Sequence, residues 1–338
     1  MRIILCGFGI VGQSLAKLLE SRSYDLYTKY GLKPKVIGIS DSRGYIIDKN
    51  GIDLCKILLS KRKNGKITKY RKYENGYSPS DLINNIESDI LIEATPSNYE
   101  NAEPGLTNIR IGMKRKMHII SVNKGPLALA FPSLIEMAKY NNVLLRFSGT
   151  VGGGTPIINY AKNSLYGEKI LSFSGILNGT TNYILTKIEQ GMTFNDALAD
   201  AREKGYVEAN ESLDLDGFDS AAKLVILANC IMDMKVTMSD IAINGIRDIT
   251  KDDIENATKN HCALKLISSC NKKLCVGLQE ISHHDPLCVN DTLNAISFTS
   301  EHSGTQTIIG HGAGGIETAS SIIRDMINIK YNIQNNEI

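Results

Sequence analysis

The sequence predicts an α/β protein with a Rossmann-type, doubly wound parallel sheet and a second, α+β domain. A short apolar strand at residues 3–6 leads into the glycine turn Gly7–Gly12, and a helix with apolar positions available for burial follows at 13–20. Further apolar runs alternate with segments of helical periodicity, which is typical of parallel sheets whose strands are linked by helices. These runs lie at 36–40, 89–94, 117–122 and 143–147.

The pattern changes after about residue 150, where longer helices precede a group of alternating strands. The strands are predicted at 275–281, 295–299 and 305–310. One helix is well delimited, because Thr193 precedes Asp196 in a capping-box arrangement and Gly205 stands where a helix-ending glycine belongs. A last helix at 316–329 is expected to pack back on the first domain.

The size of the chain predicts two domains. Its 338 residues exceed the ~100–200 residues of a typical single domain. We expect the first domain at 1–135, joined by a C-terminal helix at about 311–338, and the second at 136–310. The net charge of +2 does not favour nucleic acid or a charged membrane surface as partner.

The cysteines and the apolar runs restrict the cellular setting. The seven cysteines are odd in number and never form a C-x-x-C pair, so neither a disulfide framework nor a zinc knuckle is expected. We expect reduced, mostly buried thiols. No apolar run reaches the ~18 residues of a membrane-spanning helix, and the N-terminus leads directly into the glycine turn. These observations predict a cytoplasmic protein.

The glycine turn indicates a dinucleotide site. Gly7 permits the tight turn, Gly9 lets the backbone approach a pyrophosphate, and Gly12 allows close packing of helix on strand. The phosphates are expected at the helix N-terminus, where free N–H groups point at them. A purely structural turn is the alternative, since G-x-G-x-x-G alone is a weak signal. The first domain is therefore interpreted as nucleotide-binding, with NADP or NAD as cofactor.

Asp41, at the end of the second strand, and Arg43, two residues further on, bear on cofactor preference. Asp41 is placed to accept hydrogen bonds from the adenosine ribose hydroxyls, although its distance from Gly12 exceeds the usual ~20 residues. Arg43 instead favours a 2′-phosphate, because a guanidinium binds phosphate bidentately. The preference is ambiguous, with a lean towards NADP.

Asp219 and Lys223 are the leading candidates for a catalytic pair. Residues 217–232 predict a helix that is apolar on nearly every side, and the two residues are i and i+4 on one face. Spacing alone also fits a surface pair that stabilises the helix by ~0.2–0.5 kcal/mol. Because the same face continues into Ile226, Leu227 and Cys230, we expect the pair to line a cleft. There Lys223 would exchange a proton with a substrate oxygen and Asp219 would orient substrate or lysine.

An acidic loop precedes this helix and contains four carboxylates, at Glu208, Glu211, Asp214 and Asp216. The spacing does not fit a calcium loop of the EF-hand type, and no histidine joins it. Contacts to a substrate ammonium group fit better, with a solvated acidic loop as the alternative. These features together predict a dehydrogenase that acts on a small amino-acid aldehyde or alcohol.

The chain resembles the homoserine dehydrogenase family over nearly its whole length, on motifs that are highly specific in combination. The motifs are Gly7–Gly12, Asn123–Ala128, Val151–Pro156, Gly175–Tyr183, Gly205–Glu208 and Gly217–Asp219 with Lys223. The resemblance implies NAD(P)-dependent interconversion of L-homoserine and L-aspartate 4-semialdehyde, in threonine and methionine biosynthesis. It also implies a homodimer formed through the second domain, which is then the catalytic and dimerisation domain.

The resemblance also implies a role for individual residues. Lys223 matches the proton donor and acceptor, and Lys124 matches a lysine between cofactor and substrate. The catalytic set is Lys223, Asp219 and Lys124. The substrate-binding set is Glu208, Asp214, Asp219, Tyr206 and Thr180. With the residues inferred from spacing, the cofactor-binding set is Gly7, Phe8, Gly9, Ile10, Val11, Gly12, Asp41, Arg43, Thr95, Pro96, Ser97, Lys124 and Gly314.

A monovalent cation, Na⁺ or K⁺, is a further implied ligand. It would be held by backbone carbonyls of Ser148, Val151, Gly153 and Thr155. Ser148 stands where the family usually has a glutamate, which puts side-chain support of the metal in doubt. Asn210–Ser212 replaces a usual Asp-Pro-Thr and His311 a usual proline or tyrosine. The length near 338 residues fits the short form without the C-terminal regulatory domain, for which we expect weak or absent threonine feedback.

Three other functions remain open at this point. The first is a dehydrogenase for another small amino-acid aldehyde. The second is an aldehyde-oxidising enzyme that forms a thioester, for which no cysteine stands in a convincing nucleophile motif. The third is a non-catalytic, dinucleotide-sensing protein.

Overall fold

The computed structural model describes residues 1–65, 67, 73–75, 78–207, 210–271 and 273–335. The chain forms two compact units. The first comprises Met1–Thr150 with Gly314–Ile338, and the second comprises Val151–Ala313.

The first unit alternates strands and helices around one sheet. Its elements up to the boundary are β1 (Arg2–Cys6), α1 (Ile10–Ser21), α2 (Ser23–Tyr30), β2 (Lys35–Asp41), β3 (Gly44–Ile47), α3 (Leu54–Asn64), β4 (Tyr73–Asn75), α4 (Pro79–Asn85), β5 (Ile90–Glu93), α5 (Gly105–Lys114), β6 (His118–Ser121), α6 (Lys124–Asn141) and β7 (Leu145–Arg146). The strand order is β4-β3-β2-β1-β5-β6-β7. The Rossmann-type α/β fold is confirmed, and each apolar run proposed as a strand of this sheet lies on one.

The sheet is parallel from β2 to β7 and antiparallel at its other edge. Ile3, Ile4 and Leu5 of β1 are at most 1% exposed, because helices cover both faces of the parallel part. The antiparallel addition of β3 and β4 was not predicted. It arises because the chain turns back directly after Asp41, which pairs with Gly44 in a tight hairpin.

The second unit is an α+β unit. Its elements are α7 (Ile157–Asn159), β8 (Ile170–Ile176), α8 (Gly179–Glu189), α9 (Phe194–Glu203), α10 (Ser212–Leu215), α11 (Phe218–Ile231), β9 (Ala242–Ile243), α12 (Lys251–Lys259), β10 (Cys262–Cys270), β11 (Leu274–Ser282), β12 (Leu293–Ser300) and β13 (Gly304–His311). Its sheet has the order β13-β12-β8-β10-β11-β9 and is antiparallel except for the β11–β9 pair. The three strands proposed in this region are confirmed as β11, β12 and β13.

Helix α11 is the interior element of the second unit. Every residue from Asp219 to Cys230 is buried, which explains why the helix is apolar nearly all round. Helix α9 begins and ends as proposed, since the Thr193 hydroxyl accepts the Asp196 N–H and Gly205 has a φ of 73°.

The chain returns to the first unit with α13 (Gly315–Gln334), which packs against α1 as expected. The unit boundaries fall after Thr150 and Ala313, beyond the 135 and 310 expected from the sequence. The reason is that β7 pairs with β6, and the 3₁₀ turn Ser148–Thr150 packs on α13, so both belong with the first unit.

Within the described residues, no helix has the length and apolarity that crossing a membrane requires. All seven cysteines are free thiols. Cys6, Cys230 and Cys270 are buried, Cys55 is exposed, and the others are partly buried. The expectation of mostly buried thiols therefore holds for only part of the set.

The Ser148–Asp325 contact predicts a pH dependence of stability. Asp325 accepts hydrogen bonds from the Ser148 N–H at 3.0 Å and from its hydroxyl at 2.5 Å. Burial raises the pKa of Asp325 to about 6. Since the folded carboxyl binds its proton more tightly than the unfolded one, its contribution to stability is fully present below about pH 4 and is lost as pH rises through about 6.

We predict that Asp325→Asn, which keeps the shape of the neutral carboxyl, removes this loss. The free energy of unfolding of the variant, minus that of the wild type, should rise by up to about 3 kcal/mol between pH 4 and pH 7 in urea titrations. Asp252→Asn, at an exposed carboxylate of α12, is the control and should show no such rise. The same curve for the Asp325 variant and the wild type would contradict the prediction.

Candidate active site

The glycine turn of the first unit has the geometry that a dinucleotide needs. Gly7 has a φ of 99°, and a Cβ there would lie 2.3 Å from the Ala94 carbonyl oxygen. A Cβ on Gly12 would lie 2.4 Å from the Gly7 carbonyl oxygen, so helix and turn pack directly on each other. A Cβ on Gly9 would meet nothing within 4 Å, which leaves space for a group that approaches the backbone. The turn thus fits a bound pyrophosphate.

Helix α1 begins at this turn with its first N–H groups uncapped by a side chain. Gly9 is the N-cap residue and offers no side-chain acceptor. Ile10 is 76% exposed, whereas Phe8 is buried in the core, so the Phe8 side chain is not accessible to a ligand at this turn. Gly314 is the N-cap of α13, and a Cβ on the next residue, Gly315, would lie 2.6 Å from Ile10. The N-termini of α1 and α13 therefore lie side by side, where an anion is stabilised.

Asp41 and Arg43 lie in the hairpin turn at the carboxyl end of β2. Asp41 Oδ1 accepts the Arg43 N–H at 3.0 Å, and its Oδ2 lies 3.8 Å from Lys61 Nζ. The Asp41 side chain is 7% exposed, whereas Arg43 is exposed. Lys61 lies in the last turn of α3. Its ammonium offsets the negative charge of Asp41, which sequence reasoning did not anticipate.

A buried carboxylate, Glu93, organises the loop after β5. Glu93 is 0% exposed and accepts hydrogen bonds from the Thr95 N–H at 2.8 Å, the Thr95 hydroxyl, and the amides of Asn108 at 2.8 Å and Asn123 at 3.3 Å. Burial raises the pKa of Glu93, and these donors oppose the rise. The carboxylate fixes the start of the segment Thr95–Ser97.

Lys124 belongs to the same network. The Asn123 side chain caps α6 by accepting the Gly125 N–H at 3.0 Å, and its amide also donates to the Pro96 carbonyl at 3.3 Å. The Lys124 N–H donates to Ser97 Oγ at 3.0 Å. Thr95, Pro96, Ser97 and Lys124 are therefore brought together at the carboxyl ends of β5 and β6, where ligands of open α/β sheets bind.

In the second unit, Lys223 and Asp219 form a buried ion pair. Lys223 Nζ lies 2.6 Å from Asp219 Oδ2 and donates to the Leu177 carbonyl oxygen at 2.6 Å. The side chains of Lys223 and Asp219 are 7% and 11% exposed. The alternative of a solvated surface pair is therefore wrong. Two acceptors use two of the three N–H bonds of the ammonium group and fix its position.

Asn178 joins this pair to a second carboxylate. Its amide Nδ2 donates to Asp219 Oδ2 at 3.0 Å and to Asp214 Oδ1 at 2.7 Å. Its Oδ1 caps α8 by accepting the Thr181 N–H at 2.9 Å. Because one amide serves both carboxylates, it holds Asp214 and Asp219 close to each other. Asn178 was not among the residues assigned to the site from the sequence.

The other carboxylates of the acidic loop differ from Asp214 in their surroundings. Glu211 pairs with Arg202 at 2.6 Å, and Asp216 pairs with Arg247 at 2.5 Å, all at partly exposed positions. Asp214 is 9% exposed and faces Asn178. Glu208, expected to contact the substrate ammonium group, lies outside the described residues.

Thr180 contacts Tyr206, which lies two residues before Glu208 in the sequence. The Thr180 hydroxyl donates to the Tyr206 carbonyl oxygen at 2.7 Å. The Tyr206 ring packs edge-on against Tyr183 with centroids 4.9 Å apart. Both contacts anchor the start of the acidic loop on α8, the helix whose N-cap residue is Asn178.

The residues proposed for a monovalent cation are divided between the units. Ser148 belongs to the first unit and Val151, Gly153 and Thr155 to the second. Within the second unit the loop is tight, since Gly152 and Gly153 have φ values of 84° and 53°. The Thr155 hydroxyl donates to the His311 carbonyl oxygen at 3.1 Å. Among the described side chains, no group of three or more His, Cys, Asp or Glu residues is placed to hold a metal ion.

The three buried thiols are poor candidates for the nucleophile of a thioester mechanism. Burial raises the pKa of Cys230 to about 12 and that of Cys270 to about 11, and burial also raises the pKa of Cys6. A thiol with a raised pKa carries less of the nucleophilic thiolate at neutral pH.

Two family models match the chain. The model described as homoserine dehydrogenase matches residues 156–327, and the model described as glutamate/leucine/phenylalanine/valine dehydrogenase matches residues 1–114. The first match covers most of the second unit and part of α13. The second covers the glycine turn and most of the parallel sheet.

Individual relatives match over nearly their whole length. The chain is 43% identical over 331 residues to the homoserine dehydrogenase of Methanocaldococcus jannaschii, which covers 97% of this chain and 98% of that protein. It is 35% identical over 336 residues to the NAD(+)-dependent homoserine dehydrogenase of Pseudomonas canavaninivorans, with 97% and 96% covered. Among solved structures, a hyperthermophilic archaeal homoserine dehydrogenase in complex with NADPH matches with a TM-score of 0.86, 29% identity and 98% of each chain covered.

The space above Gly9 generates a prediction. Because nothing lies within 4 Å of a Cβ at this position and its φ is −80°, Gly9→Ala should fold with an unchanged Tm. The methyl group would occupy the space left for the pyrophosphate, so the KM for the cofactor should rise about tenfold or more. Gly12→Ala is the matched comparison, and it should lower Tm because its Cβ meets the Gly7 carbonyl. An unchanged cofactor KM in the folded Gly9 variant would refute this use of the turn.

Proposed function

This chain belongs to the homoserine dehydrogenase family, and we propose how its residues carry out that reaction. It is an NAD(P)-dependent oxidoreductase that interconverts L-homoserine and L-aspartate 4-semialdehyde, on the route to threonine and methionine. The observation that carries the proposal is the buried Lys223 ammonium group, held at 2.6 Å by both Asp219 and the Leu177 carbonyl.

Lys223 is proposed as the proton donor to the substrate oxygen. A bound nicotinamide would supply the hydride that reduces the aldehyde carbon, so the oxygen would need one proton to become the alcohol. Since Asp219 and Leu177 use two N–H bonds of the ammonium group, its third N–H is the one that donates to substrate. In the oxidative direction the neutral amine would accept the proton from the homoserine hydroxyl.

The substrate ammonium group is assigned to the acidic loop. Asp214 is the carboxylate of this loop that Asn178 holds beside Asp219, and a carboxylate is a suitable acceptor for an ammonium group. Glu208, Tyr206 and Thr180 complete the proposed substrate set, with Glu208 assigned on the family resemblance alone. Lys124, fixed through Ser97, is the proposed lysine between cofactor and substrate.

Cofactor preference is proposed to favour NADP. A solved relative carries NADPH, whereas a sequence relative is named as NAD(+)-dependent, so the family accommodates both. In this chain Lys61 offsets the charge of Asp41, and Arg43 is exposed beside it. An Asp41 without this cation would repel a 2′-phosphate, so the arrangement favours the phosphorylated cofactor.

The cation, the dimer and the cytoplasmic location stay predictions. Support for a dimer comes from a sheet face with a row of cross-strand pairs between short hydroxyl side chains. The row is Thr307, Ser297, Ser174 and Ser269. Short side chains let a second sheet approach closely, and a repeated patch of this kind suits a two-fold contact. Sedimentation of the purified chain at a monomer mass would count against the dimer.

We predict that Arg43→Ala lowers kcat/KM with NADP by about tenfold or more, because the bidentate phosphate contact is lost. The value with NAD should change little. Lys49→Ala removes an exposed cation of the same unit and serves as the control. Equal or better use of NAD by the wild-type protein, or equal losses with both cofactors in the variant, would remove the assignment of Arg43.

We predict that Lys223→Met and Asp219→Asn fold but lose kcat by ~10²-fold or more in an NADPH-linked assay with aspartate 4-semialdehyde, the scale of a general acid. Lys265→Met is the matched control. It removes another buried ammonium group of the second unit, which donates to Asn290 at 3.0 Å and takes no part in the site network. Its kcat should stay near that of the wild type, whereas near-wild-type turnover in Lys223→Met would refute the role of Lys223.

A further inference from the structure

A cavity of about 1000 Å³ lies in the first unit at the amino ends of β1, β5 and β6. The glycine turn stands at the carboxyl end of β1, so the cavity is at the opposite edge of the sheet from the cofactor residues. Its walls come from the start of β1, the turn after α2, the segment before β5, the end of α5 and the last part of α13.

The lining of this cavity is strongly cationic. Its lysines and arginines are Arg2, Lys33, Lys114, Arg115, Lys116 and Lys330. The carboxylates among the lining residues are Glu87 and Asp89. The six cations exceed the two anions by four charges, whereas the entire chain has a net charge of only +2. This concave surface therefore carries a local excess of positive charge.

Several of these cations are held in place by neutral groups. Lys330 Nζ donates to the Tyr30 carbonyl oxygen at 2.6 Å, and Lys116 Nζ donates to the Asn141 carbonyl oxygen at 2.9 Å. Lys33 Nζ lies 3.9 Å from the centre of the Tyr27 ring. A carbonyl dipole or an aromatic face orients an ammonium group without cancelling its charge.

Carboxylates neutralise little of this charge. Arg2 pairs with Asp89 at 2.8 Å and with Glu87 at 3.8 Å, and Asp89 also lies 4.0 Å from the Met1 ammonium group, so neither lining carboxylate pairs with a lysine of the cavity. For the other five cations, no carboxylate oxygen of the described residues lies within 4.0 Å. A lysine at a helix end is favoured by the helix dipole, which accounts for Lys114 in the last turn of α5. It does not account for cations that converge from separate elements.

We propose that this cavity is a binding site for a small multivalent anion that carries phosphate or carboxylate groups. Unpaired like charges around a concave surface repel one another, and a bound polyanion relieves that repulsion. Ammonium groups already oriented by carbonyl and aromatic partners lose little freedom on binding, which favours affinity. The site is separate from the cofactor residues and does not depend on the proposed catalytic roles.

The test is a calorimetric titration of the full-length protein in 0.15 M NaCl, saturated with NADPH so that the cofactor phosphate site is filled. The probes are tripolyphosphate and citrate, which separate a phosphate ligand from a carboxylate ligand. We expect at least one probe to bind with a Kd below about 1 mM, and to bind more weakly at higher salt.

The double variant Lys33→Gln/Arg115→Gln should weaken that binding by about tenfold or more. Lys235→Gln/Lys259→Gln, which removes two exposed lysines of the second unit, should leave it unchanged. Lys114→Gln alone provides a milder variant should the double variant have a lowered Tm. Binding of neither probe, or equal binding by the wild type and both cavity variants, overturns the proposal.

Discussion

The second unit depends on the buried ion pair between Lys223 and Asp219. An ammonium and a carboxylate cannot be removed from water without partners, because the desolvation cost exceeds their mutual attraction unless further hydrogen bonds complete the pair. In this chain the Leu177 carbonyl and the Asn178 amide supply those bonds. Both residues directly follow β8. The contacts that complete the ion pair therefore also fix the position of α11 relative to the end of β8.

The first unit also contains a buried carboxylate whose hydrogen-bond donors fix the surrounding loops. Glu93 is fully buried at the end of β5, and four neutral donors surround it. A buried carboxylate accepts strong hydrogen bonds, and the loss of any donor would leave part of its desolvation cost uncompensated. It therefore fixes the position of every group that donates to it. The loop Thr95–Ser97 and the N-cap of α6 are thereby linked into one arrangement. In both units a buried carboxylate, held by an asparagine amide, sets the geometry of the proposed site residues.

The sequence predicted those features that depend on local pattern. The glycine turn, the parallel strands and the caps of α9 follow from spacing and residue type, and each is confirmed. Strand β10 was missed because Lys265 and its serines interrupt the apolar alternation, although Lys265 is fully buried. Asn178 and Glu93 were not assigned to the site because an asparagine after a strand and a glutamate within one carry no local signal. Their importance arises from partners tens of residues away in the chain.

Position 148 is another case in which a contact between residues far apart in the chain could not be predicted from the sequence. Ser148 stands where the family usually has a glutamate, and the sequence of this segment alone suggests that a carboxylate has been lost beside the loop at 151–155. In the structure Asp325 of α13 places a carboxylate against the backbone N–H and hydroxyl of Ser148. The two residues are 177 positions apart, so no inspection of the loop could reveal the contact. A substitution that removes a charge from one element is therefore interpretable only with the elements that pack on it, since a residue distant in sequence can place a carboxyl group against the substituted position.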